Sequence, residues 1–302
     1  MAMKSLDLKQ LVEDCIRSYV EKYGLSPQDV NIVSFASKAF VECYLCIQSL
    51  LNDSLEDYIS YYTRSVVENL MNAYTCKNFE GIGSELQDHL NSIRNSISAL
   101  GSVFEVELET ATRLLVHSRD PSLPLEVSLA WDPIRNVPYI PSSTLKGAAR
   151  AYFRANKIET HGLGERELFG PESGEEEVAE GSVIFTDAYP VRCNDKRLLE
   201  ADVMTPHYSE ARYIIDEARA SPIPIVFLTA APKAVFKFLL IVDVERLASA
   251  GKLSQGVSFK AVFDIVNDVV KGLEIGLGAK TSVGYGRLKK LDVKASPGAS
   301  RQ

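Results

Sequence analysis

Nowhere in the 302 residues do eighteen apolar residues run together, so no segment is expected to cross a bilayer as a helix. The opening Met-Ala-Met-Lys-Ser-Leu-Asp lacks the apolar core of a secretory leader, and the expected location is the cytoplasm, away from membranes. Cysteine is scarce. Cys15, Cys43, Cys46, Cys76 and Cys193 are an odd number scattered along a long chain, which does not fit a disulfide framework. Cys43 and Cys46 have zinc-like spacing, but no second Cys or His pair matches it and they sit in an apolar helical run; buried core thiols, with no metal and no cofactor, are the expectation. A surplus of positive charge is also missing. The formal net charge of −7 argues against a protein that coats nucleic acid over its whole surface.

What is present is an ordinary globular composition, 46% apolar and 24% charged, long enough for one large or two modest domains. The charge is unevenly placed. Residues 1–100 hold 8 basic and 13 acidic side chains (net −5), whereas residues 271–302 hold 7 basic and 2 acidic (net +5). An acidic body with a basic end suits a protein that binds RNA through one face and other proteins through the rest.

Residues 5–23 carry Leu8, Leu11, Cys15, Ile16 and Tyr19 at helical spacing, and Ser26-Pro27-Gln28-Asp29 reads as the start of a second helix ending near Leu51. Asp53-Ser54 opens a third helix, with Tyr58, Tyr61 and Tyr62 read as core, and Ser84 a fourth. Residues 1–100 are therefore expected to form a helical region. After Gly101 the period changes: Phe104, Val106 and Leu108 alternate with Glu105, Glu107 and Glu109, a strand with one wet face. In Pro138–Arg154, Ser142 or Ser143 can cap a helix in which Gly147, Ala148 and Ala149 permit close packing and Lys146, Arg150 and Arg154 share a face. Gly162–Glu180, with Glu175-Glu176-Glu177, is a polar insertion before a strand at 181–189. Ile225–Thr229 and Ala234–Val242 read as a hairpin, Ser258 caps a helix reaching Leu273, Tyr285–Val293 is a last strand, and 295–302 a frayed tail. Residues 101–302 thus read as βαββαβ with insertions, an α+β ferredoxin-like (RRM-like) domain. The sheet lacks the aromatic RNP signature, so RNA would be held elsewhere.

The place to look is Gly272-Leu-Glu-Ile-Gly-Leu-Gly-Ala-Lys-Thr-Ser-Val-Gly-Tyr-Gly-Arg287, which packs five glycines into sixteen residues. Glycine removes the Cβ and permits positive φ, so such a turn can present successive N–H groups to an anion, with Lys280 and Arg287 adding full charges. The alternative is a helix C-cap and a strand whose glycines only solve turn geometry.

Three segments together resemble the RAMP proteins of type III CRISPR systems: Pro138–Gly147 (PYIPSSTLKG), Asp202–Tyr208 (DVMTPHY) followed by Pro222–Thr229, and Gly276–Arg287. The middle segment looks most like the sixth-RAMP-subunit family of the type III-B (Cmr) effector complex. The resemblance covers about 102–293. It implies a non-catalytic structural subunit of an RNA-guided ribonucleoprotein, capping the filament of backbone RAMPs near the 3′ end of the CRISPR RNA. Its partners would be that RNA, with target RNA as a further candidate, and the other RAMP subunits of the complex. Carried onto this chain, it makes Ser142, Ser143, Lys146 and Arg150, and the loop residues Gly276, Gly278, Lys280, Thr281, Ser282, Gly284, Tyr285, Gly286 and Arg287, candidate RNA contacts. The family pattern commonly has Gly where this chain has Ser142; Ser also caps and can donate to phosphate.

Two residues raise an enzymatic alternative, a RAMP-type endoribonuclease acting on target or precursor RNA. His207, between Asp202 and Tyr208, is of a type that can deprotonate a 2′-hydroxyl in metal-independent cleavage, though a hydrogen-bonding loop histidine is the plainer reading. Asp120 follows the first strand, where the resemblance places the metal-assisted Asp of the target-cleaving backbone subunit, and Asp132 is the nearest candidate second carboxylate. A protein-interaction module built on the acidic helical region is a third reading.

Overall fold

A computed structural model describes residues 7–48, 55–98, 101–117, 119–120, 122–171, 180–204, 224–249 and 257–296. Helices α1 (Leu8–Tyr23), α2 (Ile32–Ile47), α3 (Leu55–Ala73) and α4 (Cys76–Ile97) come first. They are followed by β1 (Ser102–Thr110), β2 (Trp131–Asp132), β3 (Val137–Pro138), α5 (Ser142–Asn156), α6 (Glu165–Phe169), β4 (Val183–Phe185), β5 (Tyr189–Cys193) and β6 (Leu199–Met204). The chain ends with β7 (Ile225–Ala230), β8 (Ala234–Val242), α7 (Val244–Ser249), α8 (Phe259–Glu274) and β9 (Leu288–Ala295). By its contacts the chain forms two compact units that interleave in sequence: residues 1–78, 117–137 and 196–230, and residues 79–116, 138–195 and 231–302.

In the first unit α1–α3 bury Val12, Ile16, Ile32, Phe35, Tyr58, Tyr62, Val66 and Leu70, each at most 5% exposed. The two core tyrosines satisfy their hydroxyls on α2: Tyr58 donates to the Phe40 carbonyl (2.7 Å) and Tyr62 to that of Ala36 (2.6 Å), as buried phenols must. Tyr61 is only half-buried. Ser26–Asp29 forms a turn closed by the Asp29 and Val30 amides on the Ser26 carbonyl, and α2 starts later because the Asn31 side chain accepts from the Ser34 amide and caps it. The start expected for α3 at Asp53-Ser54 lies outside the described residues, and α4 begins at Cys76, ahead of Ser84. One cysteine expectation fails: Cys15 on α1 and Cys43 on α2 are joined by a disulfide, with Cα atoms 5.9 Å apart, and Cys46 is an exposed thiol. Two helices that cross at the right separation bring together cysteines whose spacing in sequence carries no sign of pairing. β6 and β7 pair antiparallel from Leu199↔Ala230 to Met204↔Ile225.

That pairing corrects the hairpin expected between β7 and β8. β8 lies at the centre of the second unit's sheet, where β1 takes one edge and β4 and β5 the other, all antiparallel; neither edge remains for β7. The order β4-β8-β1-β9 is that of a ferredoxin-like sheet, with β4 and β5 together serving as its second strand and β9 as its last, the expected final strand but starting at Leu288 instead of Tyr285 and ending at Ala295. On the inner face Phe104 stacks against Phe259 and Phe263 of α8, and Phe185 against Phe238. Ser258 caps α8 as expected, accepting from the Ala261 amide. α5 and α8 run antiparallel: Tyr152 meets Gly272, Thr160 donates to Asp268, and His161 pairs with Asp264. The first turn of α5 and the loop following α8 therefore share one end of the helical layer.

The opposite face of the sheet is not the wet face its glutamates suggested. From residue 79 onward α4 lies over it. Ile93 and Ile97 pack on Val103, Leu239 and Ile241, and a Cβ on Gly83 would come 2.4 Å from the Val191 carbonyl oxygen. Under this helix Lys237 is 4% exposed and pairs with Glu105 at 2.5 Å, with Glu107 at 3.9 Å. Arg94 of α4 also donates to Glu105, and Arg192 of β5 pairs with Glu107 at 2.7 Å.

Burial alone would raise the pKa of Glu105; the hydrogen bonds from Lys237 and Arg94 outweigh it and hold the carboxyl below its ordinary value. A folded pKa below the unfolded one stabilises above the unfolded value and ceases to do so as pH falls through the folded one. Glu105→Gln also leaves a buried ammonium facing only the more distant Glu107. The expected loss is about 2–4 kcal/mol at pH 7, with a flatter acid limb, measured by urea unfolding between pH 3 and 7.

Candidate nucleic-acid interface

The Gly-rich stretch leaves α8 and folds back on itself before β9. The Leu277 amide donates to the Gly286 carbonyl (3.0 Å), the Gly286 amide to that of Arg113 (2.8 Å), and the Ala279 amide to that of Leu115 (2.8 Å). The loop is thus laid against the segment that follows β1. Gly278 (φ +86) and Gly286 (φ +67) make this possible, since a Cβ would stand 2.3 Å from the Leu115 oxygen and 1.9 Å from the Leu277 oxygen, respectively. At the tip Lys280 adopts left-handed φ 61 and ψ 26, Thr281–Val283 make a single 3-10 turn, and Gly284 (φ +97) closes it. The amides of Val283 and Tyr285 return to the Lys280 carbonyl, and that of Gly284 to Thr281.

So the glycines mostly serve the loop's own geometry; the amides of 277 and 283–285 donate within the loop, and those of 279 and 286 to the segment behind it. Gly272 belongs to the α5–α8 contact, where a Cβ would meet the Tyr152 ring at 2.9 Å. Facing outward are the side chains of Ser282, Val283 (68% exposed) and Arg287 and the backbone of Gly284, while Thr281 is half-buried. The Lys280 ammonium lies 5.5 Å from the Tyr285 ring centroid, within cation–π range. Arg287 is braced through its amide, which donates to Thr112 Oγ1 (3.0 Å), and through its guanidinium, which donates to the Ile275 carbonyl.

At the start of α5 neither serine caps. The N-cap residue is Pro141, and the Ser142 amide donates to the Asp187 carboxylate at 2.7 Å. Ser143 is exposed. Gly147 does not pack closely either: among the described residues nothing lies within 4 Å of where its Cβ would be. Lys146 is half-buried, and burial, then the neighbouring charge of Arg150, lowers its pKa, with Glu180 opposing. Arg150 and Arg154 both converge on Glu165, Arg154 at 2.6 Å, and Arg150 also donates to the carbonyls of Gly170 (3.0 Å) and Pro171 (3.3 Å). The hydrogen bonds from Arg154, then Arg150, hold the Glu165 carboxyl down at about 2 against the effect of burial. The basic stripe is therefore only partly available to a ligand. Asp187 and Glu165 gave no local signal in sequence, since each reaches its partner through the fold.

In the first unit Asp120 is occupied by its own loop. One oxygen accepts from the Ser122 amide (2.9 Å) and hydroxyl (2.5 Å), the other from the Trp131 amide (3.0 Å). Asp132 accepts from the amides of Ile134 and Arg135 at 2.8 and 2.9 Å. Both carboxylates organise turns. His207, with Thr205, Pro206 and Tyr208, lies outside the described residues, as do Glu175-Glu176-Glu177. Among the described residues no helix is long and apolar enough to cross a membrane.

The sequence profile of the RAMP superfamily matches residues 107–289. The chain is 32% identical over 247 residues to the Cmr6 subunit of the CRISPR Cmr system of Saccharolobus solfataricus, covering 79% of this chain and 75% of that protein. It is 39% identical over 118 residues to Cmr6 of Pyrococcus furiosus, covering 36% and 31%. A chain in the cryo-EM structure of the type III-B Cmr-beta complex bound to cognate target RNA superposes with a TM-score of 0.65 at 27% identity, covering 95% of this chain and 98% of that one. With a match over more than half its length, a ferredoxin-like sheet and the Gly-rich loop in its expected place between the last helix and last strand, the chain belongs to the RAMP superfamily.

Proposed function

We propose that this protein is a non-catalytic, RNA-binding structural subunit of a type III-B (Cmr) CRISPR ribonucleoprotein, capping the backbone subunits near the 3′ end of the CRISPR RNA. The single observation that carries the reading is the loop at 276–287: braced from behind by the 111–116 segment, it projects Ser282, Arg287 and the Lys280–Tyr285 pair from a fixed frame. The similarity to Cmr6 proteins, and to a chain of an RNA-bound complex, supplies the assembly. With the amides of 277, 279 and 283–287 already donating within the chain, the hold on RNA draws on side chains: charge from Lys280 and Arg287, hydroxyl donation from Thr281 and Ser282, and stacking on Tyr285.

The first turns of α5 make the second half of the grip. Lys146 sits where burial and Arg150 disfavour its charge, and a phosphate brought against it removes that penalty. Gly147 offers an open patch of helix backbone that the protein's own packing does not use. A Gly inside a helix costs up to about 1 kcal/mol relative to Ala, and among the described residues no contact accounts for it. Arg150, held by Glu165, adds a second cation beside Lys146. The turn-building roles of Asp120 and Asp132 favour a scaffold over a metal-assisted nuclease.

Lys280→Ala with Arg287→Ala is expected to weaken CRISPR RNA binding alike across sequences and to lower the salt slope by about two; unchanged affinity and slope in the folded double variant would remove the loop from the interface. Gly147→Ala is expected to raise the stability of the isolated chain by about 0.5–1 kcal/mol, while Gly147→Gln lowers RNA affinity in the assembled complex by about tenfold; denaturation and filter binding separate the two effects. Labelled CRISPR RNA and target RNA incubated with the protein, with and without magnesium, should stay intact. Cleavage lost in Asp120→Ala or His207→Ala would replace the scaffold by an endoribonuclease.

A further inference from the structure

Three sulfurs gather on the helices of the first unit. The Cys15–Cys43 disulfide ties α1 to α2, with its Cys43 end fully buried, while Cys46, one helical turn further along α2, is an exposed thiol. Residues i and i+3 of a regular α-helix have Cβ atoms roughly 5–6 Å apart, wider than the roughly 3.5–4.5 Å of a disulfide, so a Cys43–Cys46 bond requires the last turn of α2, which ends at Ile47, to loosen. Cys43 then has two sulfur partners: Cys15 across the helix pair and Cys46 along its own helix. Only Cys46 meets solvent freely; Cys15 is half-covered.

We propose that Cys43-Tyr-Leu-Cys46 is a thiol–disulfide exchange site, in which Cys46 relays between low-molecular-weight thiols in solution and the buried bond that tethers α1. In the first step Cys46, having lost its proton to solvent, attacks the Cys43 sulfur. The Cys43–Cys46 bond forms, the Cys15–Cys43 bond breaks, and Cys15 leaves as a thiolate that takes up a proton. No net oxidation occurs in this step. In the second, a solution thiol attacks the exposed Cys46 sulfur, and Cys43 leaves as a thiolate and is protonated. A second solution thiol then resolves the mixed disulfide at Cys46, so that two thiols are oxidised to one disulfide as the protein's bond is reduced. Run backwards, the same steps reinstall the tether. The oxidation state of the α1–α2 link thereby follows the thiol–disulfide balance of the surroundings, although the bond itself is buried.

Trypsin makes the relay readable. Cleavage after Lys9, Arg17, Lys38 and Arg64 places Cys15 in peptide 10–17 and Cys43 with Cys46 in peptide 39–64, so the two disulfide isomers differ as crosslinked and uncrosslinked peptides. Full-length protein is treated with dithiothreitol under native conditions, quenched with iodoacetamide at intervals and followed by mass spectrometry. Exposure of the Cys15 thiol is expected to be at least about tenfold slower in Cys46→Ser than in the wild type, with the melting temperature in the absence of reductant unchanged. Native protein whose Cys46 has first been alkylated should show the same slowing, which makes the comparison without any substitution. Equal rates in the wild type, Cys46→Ser and the alkylated protein would overturn the relay, because reductant would then be reaching the Cys15–Cys43 bond directly.

Discussion

β8 is buried along its whole length, and the cost of burying the one charged residue within it governs the second unit. Lys237 cannot lie in the middle of a covered sheet without counter-charge, and β1 places Glu105 and Glu107 opposite and beside it. Once these groups are paired, α4 can close over them. Phenylalanines fill the other face beneath α5 and α8. A sheet covered in this way presents no platform on which bases could stack, unlike an RRM, which leaves one face open. The end of the helical layer is then the natural place for a ligand, and the chain puts there both the loop after α8 and the first turn of α5.

The same economy divides the glycines. Gly278 and Gly286 sit where an added methyl group would strike backbone, and Gly272 where it would strike a tyrosine ring; they let the loop and the two helices come together. Gly147 and Gly284 face open space. Gly284 is accounted for by its left-handed φ, so Gly147 stands out as a position where close approach is left open among the described residues. A Gly-rich motif is thus partly scaffold and partly opening, and only the surroundings of each residue tell which.

Patterns confined to one element were legible in the sequence. The alternation in β1, the Ser258 cap, the antiparallel ferredoxin-like sheet and the position of the Gly-rich loop all follow from local spacing and chain order. What was not legible depends on pairings between distant residues. Ile225–Ala230 and Ala234–Val242 are joined by a turn and look like a hairpin, but the alternation of one strand does not say which neighbour it will take. Arg150 and Arg154 read as a ligand-facing stripe because Glu165, which engages them, belongs to a short helix beyond the end of α5. The glutamates of β1 suggested solvent because nothing in their spacing announced the cations of α4, β5 and β8.

The cysteines carry that argument furthest. Cys15 and Cys43 lie 28 residues apart with nothing in their spacing to mark them as a pair, and it is the crossing of α1 and α2 that makes them partners. Cys46 gains its interest only afterwards. Alone it is an exposed thiol of no particular consequence, but beside a buried disulfide it becomes the sulfur through which solution chemistry can reach that bond. The proposed RNA grip has the same form: Lys280 and Arg287 are two ordinary surface cations until Tyr285, Thr112 and the Ile275 carbonyl give them partners. In both places a residue's chemistry is set by what the fold stations behind it, and this is why composition and spacing identified the loop while leaving its working parts to be found in three dimensions.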